Sequence, residues 1–249
     1  MPEIRDLLRR LLPGPRVPVT AELEDIKRVV DAVDGWLRDE EGKLLYWLAR
    51  NCVGRGVIVE IGSWKGKSTI WLAKGSQAGK RVAVYAVDPH DGSGELKHTH
   101  GALWSFDDFK ANLAAAHVDD VVVPLVRTSE EAARGFDTSV ELIFIDGDHE
   151  YSAVRADFEA WFPKVAVGGI MAFHDADAPG PRRVAEQFVV RSRHFRNVSF
   201  VDSILVAEKV AENSLVDRIR NRLALGLRSQ HVPGLVRDVG RRLIERRVW

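Results

Sequence analysis

The stretch that decides the fold is Val57–Ser68, which reads VIVEIGSWKGKS. Its first five residues are rich in β-branched side chains and predict a buried strand. Gly62 and Gly66 then bracket a short turn, and a helical pattern resumes from Ser68 to Lys74. A strand, a glycine loop and a helix N-terminus bring backbone amides and partial positive charge close to a ligand. The stretch therefore predicts a site for a nucleotide-like cofactor.

Three interpretations of this loop compete with a glycine turn that binds nothing. A phosphate-binding P-loop needs Gly-x4-Gly-Lys-Ser, but the first glycine, Gly62, comes one residue too late. A dinucleotide fingerprint needs a second close-approach glycine where Trp64 stands. With Glu60 two residues before Gly62, the loop also resembles the first motif of class I S-adenosylmethionine (SAM) methyltransferases, Glu/Asp-x-Gly-x-Gly-x-Gly, without its middle glycine.

Composition places the chain among ordinary globular proteins. It has 249 residues, 45% of them hydrophobic and 29% charged. Cys52 is the only cysteine, which excludes an intrachain disulfide and a cysteine zinc site. The sequence has no run of membrane-span length, and its charged N-terminus lacks a signal-peptide core. These features predict a cytoplasmic location without an integral membrane segment.

The net charge of zero is unevenly distributed. Residues 213–249 carry nine arginines against three carboxylates, so this tail is positive and the remainder of the chain is equally negative. The whole chain does not have the charge of a nucleic-acid-binding protein. The tail, or the N-terminal helices, is a candidate surface for self-association into a homo-oligomer.

Strand and helix patterns alternate along the chain. The predicted strands are Val57–Ile61, Val82–Val87, Val121–Val126, Glu141–Asp146, Gly169–Phe173, Asn197–Val201 and Ile204–Glu208. The predicted helices cover residues 21–33, 35–52, 68–74, 106–116, 151–165 and 181–190, with a short one opening at Ser129. This order predicts an α/β fold with a doubly wound, mostly parallel seven-stranded sheet and an antiparallel last strand. The predicted organisation is a helical arm and cap (1–52), a SAM-binding domain (53–210) and a basic helical tail (211–249).

Ligands bind at the carboxyl ends of the strands in such a sheet. Asp88 follows the second strand, where a carboxylate accepts hydrogen bonds from ribose hydroxyls. Asp146 and the pair His174–Asp175 end neighbouring strands, so their side chains are expected to converge on one divalent cation. His149 lies three residues past Asp146 and is a candidate general base. A solvated surface is the simpler explanation for any one of these side chains.

Three segments carry a resemblance to a known family. FIDGDHEY (144–151), DFEAW (157–161) and GGIMAFHD (168–175) resemble the bacterial SAM-dependent methyltransferases that include macrolide and aminocoumarin sugar O-methyltransferases. The resemblance covers about residues 56–206, and a mycobacterial-type mannoside O-methyltransferase of methylmannose polysaccharide synthesis is the subfamily it suggests. The loop after the first strand also accepts a bulky residue in that family, as Trp64 requires here.

This likeness implies a fold, a cofactor and a set of roles. The implied cofactor-binding residues are Glu60, Gly62, Ser63, Gly66, Ser68, Asp88, Ser129 and Asp146. Asp146 and Asp175 would bind Mg²⁺ or Mn²⁺, with His174 as a third ligand that departs from the usual acid, and His149 and Asp146 would be catalytic. The implied activity is metal-dependent methylation of a sugar hydroxyl on a small-molecule or oligosaccharide acceptor.

Two other functions remain open on the sequence. A catechol-type O-methyltransferase shares the fold and metal but usually carries an Asp–Asn pair where this chain has His174–Asp175. A SAM-binding interaction module would use the arginine-rich tail to dock an acidic partner or a membrane surface. The loop from Pro89 to Trp104, with His90, His98, His100 and Trp104, is a candidate lid that could stack on the face of a sugar, and an ordinary exposed loop is the alternative.

Overall fold

A seven-stranded sheet forms the centre of the molecule, whose computed structural model describes residues 21–92 and 104–228. The strands, in chain order, are β1 (Val57–Ile61), β2 (Val84–Val87), β3 (Val122–Leu125), β4 (Val140–Ile145), β5 (Val165–Phe173), β6 (Phe195–Val201) and β7 (Ile204–Lys209). Their spatial order is β3-β2-β1-β4-β5-β7-β6. The first five strands are parallel, and β7 runs antiparallel to both β5 and β6. The predicted α/β fold class is confirmed, with its antiparallel last strand inserted one place inside the sheet edge.

Helices cover both faces of this sheet. They are α1 (Ala21–Val30), α2 (Asp39–Arg50), α3 (Lys67–Ala78), α4 (Phe106–Ala115), α5 (Ser129–Arg134), α6 (Tyr151–Trp161), α7 (Pro179–Val184), which continues as a π-helix over Ala185–Val190, and α8 (Leu215–Arg228). Successive strand residues point to opposite faces, so Ile58 packs with α1 to α4 whereas Val59 packs with α5 to α8. The same alternation sends Glu60, Asp146 and His174 toward the face covered by α2 and α3.

Several boundaries differ from the sequence prediction for local reasons. The helix predicted over 151–165 ends at Trp161, because Pro163 stands in the short 3₁₀ turn Phe162–Lys164 that follows. β5 begins at Val165 rather than Gly169, and its register against β4 shifts where Gly168 adopts a φ of +84°. The second predicted helix begins at Asp39, and residues 31–38 form the connection before it.

The C-terminal helix α8 packs against β6. The Asn221 side chain is completely buried, donates to the Phe195 carbonyl oxygen at 2.9 Å and accepts the Val198 N–H at 3.3 Å. The predicted basic tail therefore starts with a helix that contacts the sheet edge.

The predicted N-terminal arm (1–20) and the tail beyond residue 228 lie outside the described residues, and so does most of the predicted lid. Among the helices that the structure describes, none has the length and apolarity of a membrane span.

Candidate active site at the carboxyl ends of the strands

The loop after β1 passes very close to the end of β4. Gly62 has a φ of +86°, and a Cβ at this position would lie 2.1 Å from the Asp146 carbonyl oxygen. The protein's own backbone therefore requires a glycine here. Gly66, with a φ of +90°, is the N-cap of α3 and supplies no side-chain cap to that helix. The first-turn amides of α3 are therefore left for another acceptor.

Asp88 organises the same loop from the end of β2. Its Oδ2 accepts the Trp64 N–H at 2.8 Å, and its Oδ1 accepts the His90 N–H at 2.7 Å. A carboxylate oxygen accepts more than one hydrogen bond, so Asp88 keeps acceptor capacity for ribose hydroxyls. Ser63 is 2% exposed, and its hydroxyl finds no partner among the described residues. A buried hydroxyl without a partner is a feature that fits a bound polar cofactor.

Glu60, at the end of β1, has no exposed surface. It is fully buried beneath α3, where it accepts a hydrogen bond from the Thr69 hydroxyl. Burial raises the pKa of Glu60 to about 8, although the Ser68 and Thr69 hydroxyls lower it in part. Ser68 is buried in the first turn of α3. The cofactor contacts predicted for Glu60 and Ser68 remain predictions.

Ser129 opens α5 after β3, and its hydroxyl holds two helices together. Its Oγ accepts the indole N–H of Trp161 at 2.9 Å, across 32 residues of sequence. It also donates toward Asp157, whose burial raises the pKa of that carboxyl to about 6. The predicted contact of Ser129 with the cofactor remains a prediction beside this packing role.

Four side chains from the ends of β4 and β5 converge in one cluster. His174 Nδ1 lies 2.9 Å from Asp146 Oδ1 and 3.2 Å from Asp175 Oδ2. His149 Nε2 lies 3.2 Å from the same Asp175 oxygen. Asp146, His149 and His174 each offer a ligand atom, and these three atoms lie within 4.8 Å of one another. The structure thus brings the predicted ligands Asp146 and His174 together with the predicted base His149 in one candidate cation group. Asp175, the third predicted ligand, contacts both histidines but is not a member of that group.

The distances in this cluster suit a cation. An octahedral ion with bonds of about 2.1 Å has adjacent ligand atoms about 3.0 Å apart, close to the separations of His174 Nδ1 from Asp146 Oδ1 and from Asp175 Oδ2. A donor set of two carboxylates and two imidazoles is more typical of Mn²⁺, Fe²⁺ or Zn²⁺ than of Mg²⁺. The residues present therefore fit a divalent cation, with Asp146, His149 and His174 as the donors that lie within reach of one ion and Asp175 beside them.

Negative charge surrounds His174. Burial alone would lower the pKa of its imidazole, but Asp146, Asp175 and Glu41 outweigh burial and raise this pKa to about 12. The ion-free ring is therefore doubly protonated, and a metal would replace the proton on Nδ1. Hydrogen bonds from His149 and His174 hold the pKa of Asp175 far below its ordinary value. Burial raises the pKa of Asp146, against the opposing effect of His174.

The predicted lid loop begins with a packed residue. His90 is 1% exposed, its Nδ1 lies 2.9 Å from the Ser105 hydroxyl, and its ring contacts Phe106 and Phe109. His90 is therefore part of the core, and its prediction as a lid residue facing the acceptor is wrong. At the other end of the loop, Trp104 is 57% exposed.

Trp104 lines a cleft of about 430 Å³. Trp36 and Trp64 stack at 4.8 Å between ring centroids on its wall, and Lys65 pairs there with Asp34 at 2.9 Å. Trp64 belongs to the loop held by Asp88, so this aromatic cleft adjoins the glycine loop. Sequence patterns identified Trp64 and Trp104 but gave no signal that Trp36 would join them.

Glu41 is the site residue that the sequence analysis missed. It lies on α2, is 1% exposed, and its Oε2 is 3.4 Å from His174 Nε2. Burial alone would raise the pKa of Glu41, but hydrogen bonds from His174, Arg38 and Ser203 lower it to about 2. Its only sequence signal is ordinary, an acidic residue in the first turn of a helix.

Comparison with known proteins shows that part of the chain is similar to a described family of domains. Residues 59–176 match the family model described as "Methyltransferase domain". An uncharacterized protein of Sinorhizobium fredii, y4gI, is 31% identical over 59% of this chain and 16% of its own length. The catechol O-methyltransferase of Mycobacterium tuberculosis is 32% identical over 59% of this chain and 66% of its own. The chain thus spans less than two thirds of the length of each of these relatives.

Solved structures show the same fold. The O-methyltransferase from Bacillus cereus, crystallised in complex with SAH, superimposes with a TM-score of 0.53 over 83% of this chain and 97% of that one. The two sequences are 20% identical. This likeness supports the sheet order and helix layers described above.

Proposed function

We propose that this chain, whose residues 59–176 match a methyltransferase-domain model, is a SAM-dependent O-methyltransferase that transfers a methyl group to a hydroxyl oxygen. The observation that carries the proposal is the cluster of Asp146, His149, His174 and Asp175 at the ends of β4 and β5. It lies beside the glycine loop, because Gly62 contacts the backbone of Asp146. A cofactor site and a site for activating a hydroxyl therefore adjoin.

Residues at the ends of β1 and β2 provide the cofactor site. Asp88 would accept the ribose hydroxyls while it holds the loop through Trp64. Ser63 would pair its buried hydroxyl with the cofactor, and the α3 N-terminus would present its free amides. SAM, when bound, supplies a methyl group activated by the sulfonium. Because the transfer is an in-line displacement, these contacts contribute to rate through alignment.

Asp146, His174 and Asp175 would hold a divalent cation, for which the two imidazoles of the cluster favour Mn²⁺ over Mg²⁺. A cation at this position lowers the pKa of a hydroxyl that it binds. His149 would accept the acceptor's proton, since its ring is part of the same cluster. Asp175, 3.2 Å from His149 Nε2, would stabilise the resulting imidazolium.

A sugar is the acceptor that we propose for this site. The cleft of about 430 Å³ beside the glycine loop is lined by Trp36, Trp64 and Trp104, and exposed aromatic rings offer flat apolar faces to the ring of a sugar. A catechol would stack on the same faces. The M. tuberculosis relative, which is named as a catechol O-methyltransferase, makes that second acceptor class worth testing directly.

The test is an assay of methyl transfer from labelled SAM to a panel of mannosides, oligosaccharides and catechols. Activity is expected to vanish with excess chelator and return with Mn²⁺, and Asp175→Gly is expected to lose at least about 100-fold in kcat. Glycine removes the carboxylate and tolerates the left-handed backbone of Asp175, whose φ is +45°. Asp202→Gly, at the same φ in the β6–β7 turn, is the matched control and should retain activity.

Each result addresses a separate part of the proposal. Full turnover in excess chelator would remove the cation from the mechanism. Methylation of catechols alone would replace the sugar acceptor. A folded chain that binds no SAM or SAH by calorimetry would overturn the activity as a whole.

A further inference from the structure

Glu41 reaches the site from outside the matched methyltransferase domain. It is separated from His174 by 133 residues of sequence, and its Oε2 lies 3.4 Å from His174 Nε2. The same oxygen accepts the Arg38 N–H at 2.8 Å. Its other oxygen accepts both the N–H and the hydroxyl of Ser203, at 2.8 and 2.7 Å. The carboxylate of Glu41 is thus buried and fixed from three elements.

This contact keeps a hydrogen on Nε2 of His174, so Nδ1 is the nitrogen that would give up its hydrogen to a cation. A carboxylate only accepts hydrogen bonds, so the nitrogen that faces Glu41 must be protonated. The opposite nitrogen, Nδ1, is directed at Asp146 Oδ1 and Asp175 Oδ2. Phe144 packs edge-on against the imidazole, with ring centroids 5.9 Å apart, and limits its rotation. The ring is thereby held with Nε2 toward α2 and Nδ1 toward the cluster.

We propose that Glu41 is a positioning residue that keeps the proton on Nε2 of His174 and so commits Nδ1 to binding the cation. The proposal rests on the cation of the proposed function. Carboxylates that accept the remote N–H of a histidine ligand fix its tautomer and orientation, and their loss typically weakens metal affinity about 10- to 100-fold. Helix α2 would then contribute to the metal site itself as well as covering the sheet.

Cobalt binding tests this role without measuring activity. The full chain is stripped of metal and titrated with Co²⁺, whose visible absorption reports both affinity and ligand geometry. Glu41→Gln is expected to weaken Co²⁺ binding about 10- to 100-fold and to change the spectrum. Ser203→Ala is the matched control, because it removes one hydrogen bond to Glu41 but leaves the contact between Glu41 and His174. It should bind Co²⁺ within a few-fold of wild type.

Two outcomes would overturn the proposal. One is a folded Glu41→Gln protein with wild-type affinity and spectrum. The other is an equal loss in both variants, which would show that Glu41 only supports the local packing. In both of these outcomes the proposed function is unaffected, provided that the wild-type chain binds Co²⁺. Wild-type chain that binds no Co²⁺ would overturn the cation in both proposals.

A second measurement uses the wild-type chain alone and applies even where Glu41→Gln does not fold. Nitrogen-15 NMR of the Zn²⁺-loaded protein distinguishes a metal-bound from a protonated imidazole nitrogen, and the His174 signals are assigned by their loss in His174→Asn. We expect Zn²⁺ on Nδ1 and a retained proton on Nε2. A zinc-bound Nε2, or a His174 without zinc, would contradict the role of Glu41.

Discussion

The backbone N–H of Trp64 donates a 2.8 Å hydrogen bond to Oδ2 of Asp88, which ties the loop after β1 to the end of β2. Trp64 adopts a φ of +40°, a left-handed conformation that is uncommon for a bulky residue. The Asp88 carboxylate thus compensates for a strained backbone at the position where a glycine was expected. A cofactor held by Asp88, as we propose, would therefore be coupled to the shape of this loop through one side chain.

Asp88→Asn is expected to weaken SAH binding by about 1 to 3 kcal/mol, because the charged acceptor of the ribose hydroxyls and of two backbone N–H groups becomes neutral. Calorimetry with SAH measures the change, and a thermal melt checks the fold. Asp119→Asn, an exposed substitution in the connection before β3, is the control. Unchanged SAH affinity in a folded Asp88→Asn protein would remove Asp88 from the cofactor site.

Gly62→Ala is expected to destabilise the fold more than Gly54→Ala. Both glycines have nearly the same φ, +86° and +85°, so both substitutions carry a similar backbone strain of about 1 to 2 kcal/mol. At Gly62 the new Cβ would also lie 2.1 Å from the Asp146 carbonyl oxygen, whereas at Gly54 nothing lies within 4 Å. The free energy of unfolding in urea measures the difference. Equal losses would mean that β1 and β4 separate easily at this point.

Glu60→Gln is expected to remove a pH dependence from the stability of the cofactor-free chain. Burial raises the pKa of Glu60 from 4.5 to about 8. The neutral acid therefore stabilises the fold fully below pH 4.5, and this contribution is lost as the pH rises toward 8. One pKa unit corresponds to about 1.4 kcal/mol, so the raised pKa of Glu60 accounts for a loss of at most about 5 kcal/mol in the free energy of unfolding.

The measurement for Glu60 is the free energy of unfolding of wild type and Glu60→Gln between pH 4.5 and 9. Relative to wild type, the variant should gain stability as the pH rises through this range. Asp157→Asn is the comparison, because burial raises the pKa of Asp157 only to about 6. The difference in free energy of unfolding between Asp157→Asn and wild type should therefore level off at a lower pH than the difference for Glu60→Gln. Parallel curves for wild type and Glu60→Gln would show that Glu60 is ionised in the fold.

His149→Gln distinguishes a base from a metal ligand. If His149 takes the acceptor's proton, kcat should fall by about 10² to 10⁴ while SAM affinity changes little. Because His149 is also a donor of the cluster, the Co²⁺ affinity of the variant is measured in parallel. A loss of kcat with unchanged Co²⁺ affinity supports the base. A loss confined to metal affinity assigns His149 to the cation, and a kcat within a few-fold of wild type contradicts the base.

The sequence by itself determined the sheet and the edge at which the site lies. Alternating strand and helix patterns predicted seven strands, and the carboxyl ends of parallel strands must meet at one edge. Asp88, Asp146, His174 and Asp175 were therefore predicted to gather there, and Asp146, His174 and Asp175 do converge. Periodicity sufficed because these residues follow strands directly, so backbone geometry alone fixes their position.

Only the tertiary structure decided which partners those side chains have. The contact between Glu41 and His174 depends on how α2 lies across the sheet, and the burial of His90 depends on the packing of Phe106 and Phe109. The hydroxyl of Ser129 likewise meets Trp161 only because α5 and α6 lie side by side. Contacts of this kind arise from the fit of one helix surface against another, which leaves no periodic signal in the residues that make them.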